Sequence, residues 1–225
     1  MNIDFRYAFS QFPQILAYVG VTMKITVLSM FFTLILALGI TMIRYYRVRI
    51  LTPIVNVYID VFRGTPLLTQ LFFIYYGFAQ ISDFFRNMSP MNAAIFGLTL
   101  NAAAYMTENM RSALEAIPKG QTEAGLAVGM TNLQTMWHVV LPQATRVAVP
   151  VLANDFIALL KNSSLAFTLG VREIMGQVSL VGNSSFKFFE AYMDAFIIYF
   201  CLSKLINVAQ KYLERHLSRT SGEVK

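Results

Sequence analysis

Cysteine and charge are both scarce in this 225-residue chain. Its one cysteine, Cys201, stands in an apolar run, so neither a disulfide framework nor a cysteine metal cluster forms within one chain. Charged residues make up 13% of the sequence against 56% hydrophobic, which excludes an ordinary soluble domain of this length and reads as one integral membrane domain. The two histidines, His138 and His216, are too isolated for a metal site. No G-x-x-x-x-G-K-[ST] phosphate loop is present, so the chain does not hydrolyse ATP alone. Neither a nucleophile with its base nor a metal cluster marks an enzyme. The net charge is +6, but the basic residues are spread over short loops rather than striped among aromatics, which argues against nucleic acid. The opening MNIDFRYAFSQFPQ has no basic n-region and carries Asp4, so it is expected to stay on the mature protein.

What the chain does have is hydrophobic length. Crossing about 30 Å of hydrocarbon takes roughly 20 apolar residues. Ile25 to Ile43 is uncharged and gives a first span, starting near Val19. Thr65 to Ser82 gives a second, preceded by an apolar stretch, Ile50 to Phe62, whose Asp60 and Arg63 suggest an interfacial elbow. Asn87 to Thr107 gives a third. Val147 to Leu160, with Pro150 and Asp155, is a shorter fourth, and Tyr192 to Val208, with Asp194 and Lys204, a fifth. The expected fold is all-α with about five membrane crossings. Residues 1–17 form an N-terminal extracytoplasmic segment, 18–213 the transmembrane domain and 214–225 a cytoplasmic tail.

Lys and Arg accumulate in cytoplasmic loops. With the N-terminus outside, the inner side receives Arg44, Arg47, Arg49, Arg111, Lys119, Arg146, Lys211, Arg215, Arg219 and Lys225, against Arg6, Lys24, Arg86 and Lys187 outside. Ten against four favours this orientation and places the C-terminus in the cytoplasm.

The same orientation puts a less apolar stretch, EAGLAVGMTNLQTMWHVVLP (Glu123 to Pro142), on the cytoplasmic side between the third and fourth spans. Gln121 to Val128 suits a short helix with Ala124, Gly125 and Ala127 on its surface, and Gly129 suits a C-terminal cap because glycine takes the left-handed conformation freely. Thr131 and Gln134 form a capping-box pattern at a second helix start. Leu133, Met136, Trp137 and Val140 recur at helical spacing, and Pro142 ends that helix or starts another. The pattern alone fits either an ordinary connection packed on its own spans or a docking knob.

Polar groups at membrane depth face a cavity or a partner. Asp155 and Asn162, seven residues apart, lie on one helix face, and Asn101 and Glu108 repeat that spacing on the third span. All four are candidates to line one hydrophilic pathway. Equally, they suit helix–helix hydrogen bonds or charge pairs, such as Glu108 with Arg111 or Asp155 with a nearby Lys or Arg.

Three stretches carry a resemblance. Glu123, Ala124, Gly129, Leu141 and Pro142 match the EAA loop of the permease subunits of bacterial ATP-binding-cassette importers, with Val139 for isoleucine and Gly125 where alanine is usual. Arg63 to Gly77 (RGTPLLTQLFFIYYG) and Ala104 to Arg111 (AYMTENMR) resemble segments of the polar amino acid permease subfamily, which includes histidine, glutamine, arginine and cystine permeases. The resemblance implies a type I importer permease in the bacterial inner membrane, a transport subunit rather than an enzyme. It also implies that the EAA loop, about residues 115–145, docks on an ATPase subunit through Glu123, Ala124, Gly125, Gly129, Leu141 and Pro142. The implied partners are two ATPase copies, a second permease subunit (the same or a related one) and an extracytoplasmic amino acid-binding protein. ATP and Mg would be bound by the ATPase, with no cofactor in this chain. Substrate contacts are implied for Asn101, Asp155, Asn162, Ser163 and Ser164. Asn162 replaces the acid of many basic amino acid permeases, and Ser163 to Ile174 with Phe186 to Tyr192 looks closest to cystine-type permeases. Two rivals are an integral membrane enzyme using Asp155 and Glu108 as acid and base, and an ion-driven secondary transporter using Asp155, Glu108 and Asp194. The absence of a nucleophile and base pair disfavours the first; short length and no evident inverted repeat disfavour the second.

Overall fold

The computed structural model describes the backbone of residues 4–219 and the side chains of residues 4–212, and every regular element among them is helical. His216 and the tail assigned to 214–225 lie outside the described side chains. An amphipathic helix α1 (Phe5–Leu16) leads through a turn into α2 (Val19–Tyr45), the first crossing, which starts at the residue expected from the sequence. Helix α6 (Pro90–Glu115) is the central helix. With 26 residues it extends about 39 Å, ample for a bilayer. By length and apolar composition together only α2 and α11 (Phe188–Arg219) qualify as spans among the described residues. Helix α6 falls short in hydropathy because neighbours cover it and its buried residues are largely Ala, Thr, Gly and Asn.

Those small residues have a purpose. In lipid no hydrophobic force drives two helices together, so association relies on close packing and polar side chains. The stripe Thr22, Thr26, Ser29, Thr33, Ala37 and Thr41 is fully buried on α2. From it Ser29 Oγ donates to the Ile95 carbonyl, Thr33 Oγ1 to that of Thr99 and Thr41 Oγ1 to that of Thr107, at 3.4, 3.4 and 3.5 Å. Each pair is 66 residues apart, so α2 and α6 run parallel in a constant register.

Two parallel crossings require a return between them. It comes in two pieces. Helix α3 (Leu51–Gly64) begins beside the end of α2, where Thr52 Oγ1 donates to the Ile43 carbonyl, and ends beside the middle of α6, where the Phe62 carbonyl accepts from Asn101. Helix α4 (Leu67–Phe72), a π turn (Phe73–Gly77) and a 3-10 turn (Phe78–Gln80) carry the chain to the short α5 (Asp83–Arg86), whose Phe85 ring meets Phe96 at 6.0 Å. The second span expected over Thr65 to Ser82 is therefore only the latter half of a broken crossing, and the expected elbow supplies the rest. Pro66, in extended conformation, separates α3 from α4.

Helices α7 (Lys119–Ala127) and α8 (Asn132–Thr135) form a hairpin beyond α6. The chain returns through a π turn (Met136–Val140) into α9 (Leu141–Asn162), antiparallel to α6, with Asn109 meeting Asp155. A 3-10 turn (Ser163–Leu169), the left-handed Gly170 and α10 (Ile174–Ser185) lead to α11. Glu173 locks this end: fully buried, it caps α10 at the Gly176 N–H (3.0 Å) and accepts from Thr22 Oγ1 (3.1 Å) and Tyr199 Oη (3.0 Å), joining α10 to α2 and α11.

Thr33→Leu, which forces extra methylenes into the α2–α6 seam, is expected to cost about 1–3 kcal/mol, whereas Thr33→Ala should cost under about 1 kcal/mol for one interhelical hydrogen bond. Thermal unfolding of the purified protein in detergent checks this. Equal loss in both variants would show that close approach is not what the seam requires.

Candidate functional site

The hairpin is specified residue by residue. Helix α7 ends in paired closing bonds, Gly129 N–H to the Leu126 carbonyl and Met130 N–H to that of Gly125, with Gly129 at φ 87°. No side chain crowds Gly129, so its φ alone demands glycine. Two residues on, Thr131 Oγ1 accepts from the Gln134 N–H at 3.3 Å and Gln134 Oε1 from the Thr131 N–H at 2.9 Å, the reciprocal box expected from the sequence. The helix, sharp turn and helix read from the sequence are all present.

Gly125 has a different reason. A Cβ there would lie 2.7 Å from Thr135 Cγ2 and 2.9 Å from its Oγ1, so the missing methyl is what lets α7 and α8 touch. The departure from the usual alanine is thus a matter of packing between the two helices, beyond a softening of the first. Pro142 stands in the first turn of α9, one of the two places the sequence allowed, although α8, the π turn and α9 follow without a break. Its ring crowds the carbonyl four residues back, at His138, and the backbone widens into the π turn there.

The apolar face expected for the second helix divides in two. Met136 and Val140 are buried with Leu114, Ala144 and the half-buried Met42, Ile117 and Leu141, fastening the hairpin to the ends of α2 and α6. Leu133 and Trp137 instead stand 60% and 58% exposed, as Leu126 of α7 and Val128 after it are also exposed. Glu123, Ala124 and Pro142 are exposed as well, while Gly125 is buried. His138 is a solvated residue beside Trp137, its ring nitrogen on the Gln134 carbonyl.

An ion cluster braces this end. Glu108 pairs with Arg44 and with Arg111 (2.9 Å), lies 3.9 Å from Arg63, and Arg111 also binds Glu115 at 2.7 Å. The charge pair of Glu108 with Arg111 is therefore present, extended by two more guanidiniums. A carboxylate gripped in this way is a fastener, which contradicts its use as a general acid or base beside Asp155.

The polar candidates do not converge on one point. Gln70 spans the break between α3 and α4, its Nε2 donating to the Phe62 carbonyl (2.9 Å) and to Thr65 Oγ1 (2.8 Å). Asn101 completes this knot through Gln70 Oε1 at 2.9 Å. Asp155 accepts at both oxygens from Asn109 Nδ2, at 3.0 and 2.9 Å, so its partner is an amide rather than the expected Lys or Arg. Asn109 is eight residues beyond Asn101, about 12 Å along α6, so Asn101 and Asp155 lie roughly two turns apart. Asn162 is half-buried at the end of α9. Ser163 Oγ donates to the Leu160 carbonyl and Ser164 Oγ to that of Lys161, both at 2.7 Å. Gln70, Asn109 and Glu173 were not singled out in the sequence. An uncharged amide or a glutamate before an apolar run carries no signal until its partner is seen. No group of His, Cys, Asp and Glu able to hold a metal occurs among the described residues.

Comparison with known proteins agrees with this architecture. Residues 29–219 match the family described as the binding-protein-dependent transport system inner membrane component. The chain is 44% identical over 219 residues to the probable amino-acid ABC transporter permease protein PatM of Vibrio harveyi, covering 97% of this chain and 98% of that one. It is 38% identical over 199 residues to the L-cystine transport system permease protein TcyB of Bacillus subtilis (strain 168), covering 88% and 84%. A chain of a solved amino acid ABC transporter crystallised with histidines superposes with a TM-score of 0.88 at 30% identity, covering 96% of this chain and all of that one.

Gly125→Ala is expected to cost about 1–3 kcal/mol through overpacking, and adding Thr135→Ala should recover most of it, with a coupling of at least about 1 kcal/mol. A double-mutant cycle of thermal stabilities measures this, and additivity would rule out the contact as the reason for glycine.

Proposed function

The chain belongs to the binding-protein-dependent transport system inner membrane components as a permease subunit of an amino acid ABC transporter, and from that premise we propose how it is driven and what it carries. The hairpin α7–α8 inserts into a groove on an ATPase subunit and passes that subunit's closing motion to α6 and α9. The observation that carries this is the division of its apolar residues: Met136 and Val140 fasten the hairpin to the span ends, while Trp137, Leu133 and Val128 are left uncovered on the outside. Aromatic and apolar side chains of this kind dominate interface energetics once a partner buries them. Glu123, Ala124 and Pro142 lie on the exposed surface, and Gly125, Gly129 and Leu141 hold its shape.

In this reading the hairpin end is cytoplasmic, as the accumulation of Lys and Arg there supports, and the start of α6 faces outward. A five-crossing half encloses no complete pathway. Two such subunits, identical or related, therefore pair, bind two ATPase copies that supply ATP and Mg, and receive the amino acid from an extracytoplasmic binding protein. Inside the membrane Asp155 receives the α-ammonium. Asn109 occupies one lone pair on each Asp155 oxygen, which leaves acceptor sites open. Asn101, Asn162, Ser163 and Ser164 supply neutral hydrogen bonds. Asn162 in place of a second acid favours a zwitterion without a cationic side chain, and the likeness to the cystine permease TcyB supports a cystine-like substrate.

Trp137→Ala should weaken binding of the ATPase subunit by about 2 kcal/mol, roughly thirtyfold, with membrane insertion unchanged. Co-purification and ATP hydrolysis in proteoliposomes test this, and unchanged stimulated hydrolysis would refute the docking role. Asp155→Asn removes the charge while keeping the shape. It is expected to reduce amino acid uptake at least about tenfold with hydrolysis retained, the loss of a charged hydrogen bond being worth about 1.5–3 kcal/mol. Competition by unlabelled cystine but not arginine in the parent protein would fit the substrate assignment, and the reverse would overturn it.

A further inference from the structure

Helices α2 and α6 leave a groove of about 1080 Å³ along one side of their seam. Leu28, Phe32 and Ile35 form one wall and Ile95, Phe96 and Leu100 the other. The only charged residue lining it is Asp83, at the end next to α5, where Asn87 and Asn92 also line it. Arg86 lies 2.7 Å from Asp83, and the two side chains are 61% and 82% exposed. An apolar slot thus ends in one anion and two amides, with the Arg86 guanidinium paired to that anion beside it.

Helical geometry distinguishes this side of α6 from the other. Phe96 lines the groove, and Tyr105 is nine residues on, half a revolution away at 3.6 residues per turn. Tyr105 lies under the Arg63 guanidinium at 5.6 Å, on the side where α3 approaches. That face carries charge and is unsuited to hydrocarbon, whereas the groove walls carry none and merge with the exposed Phe31 and Leu38 of α2. Walls of this composition suit hydrocarbon and an acyl chain.

We propose that this groove holds a single phospholipid with a zwitterionic, amine-bearing headgroup, its acyl chain between α2 and α6, its ammonium at Asp83 and its phosphate at Arg86. The proposal rests on the membrane-embedded reading of the chain but not on the hairpin's docking role or the identity of the amino acid. The exposed Phe84 lines the same end and shields the junction of headgroup and chain. Because the headgroup contacts are exposed, their selectivity is modest, on the scale of a surface ion pair.

The test uses the transporter assembled with its ATPase in nanodiscs of mixed phosphatidylethanolamine and phosphatidylglycerol. Diazirine-bearing acyl probes of each lipid are photolysed in turn and the adducts mapped by mass spectrometry. We expect adducts to concentrate on peptides holding Phe32 and Phe96 rather than on the α11 peptide holding Phe200, with the ethanolamine probe favoured about three- to fivefold. Asp83→Asn should abolish that preference, and Leu100→Trp, which fills the slot, should remove groove labelling while leaving α11 labelling intact. Equal labelling of the groove and α11, a preference unmoved by Asp83→Asn, or a cross-link from Phe96 to another polypeptide would each overturn the proposal. Should Leu100→Trp fail to assemble, the Asp83→Asn arm decides, since that side chain is exposed. Loss of ATPase stimulation in the parent complex would count against the hairpin's role without touching the lipid site.

Discussion

The parallel seam between α2 and α6 is the constraint from which the other parts follow. Its contacts are individually weak: interhelical hydroxyl bonds contribute about 0.6–2 kcal/mol each, and those here are long. Their strength is in number and register. Small side chains let the backbones approach, and the approach brings each hydroxyl to a carbonyl on the other helix. Once two crossings run in the same direction, the chain between them must return, and the span following α6 must run against both. The broken α3–α4 crossing and the antiparallel α9 are consequences of that one pairing.

The seam also separates two environments on α6. One side looks into an apolar groove, and the other meets Asn101, Tyr105, Glu108 and Asn109 with their partners on α3, α4 and α9. A helix that divides a membrane protein in this way cannot itself be strongly apolar. This is why α6, though central, has too little hydropathy to be recognised as a span by composition. Its polar groups are nearly all engaged. Asn101 closes the knot at Gln70, Glu108 ties three arginines, and Asn109 restrains Asp155. These polar groups are compatible with a stable fold because each has an intramolecular partner.

The hairpin is fixed by local bonds and packing. Left-handed Gly129 closes α7, the reciprocal Thr131 and Gln134 bonds open α8, and Gly125 admits Thr135 between them. Because α8 continues through the π turn into α9, Trp137 and Asp155 belong to one continuous helical segment. The hairpin's other anchor is the cluster of Met136 and Val140 with Leu114 at the end of α6.

Local signals were the legible ones. The chain's scarcity of charge, the uncharged run of α2, the capping box and the glycine at the turn act within a few residues, so the sequence by itself determined the all-helical membrane class, the first and third crossings and the hairpin. The threonine and serine stripe of α2 stands at helical spacing too, but only its burial against α6 shows it to be a packed face. Tertiary structure alone decided the partners: that Thr33 meets Thr99, that Asp155 takes Asn109 rather than an arginine, that Glu108 is a fastener, and that the second crossing divides at Pro66. It alone decided, too, that Leu133 and Trp137 face outward while Met136 and Val140 face in. The physical reason is that periodicity states which residues share a face, while the neighbour that covers the face comes from a segment tens of residues away, brought there by the register of two helices in lipid.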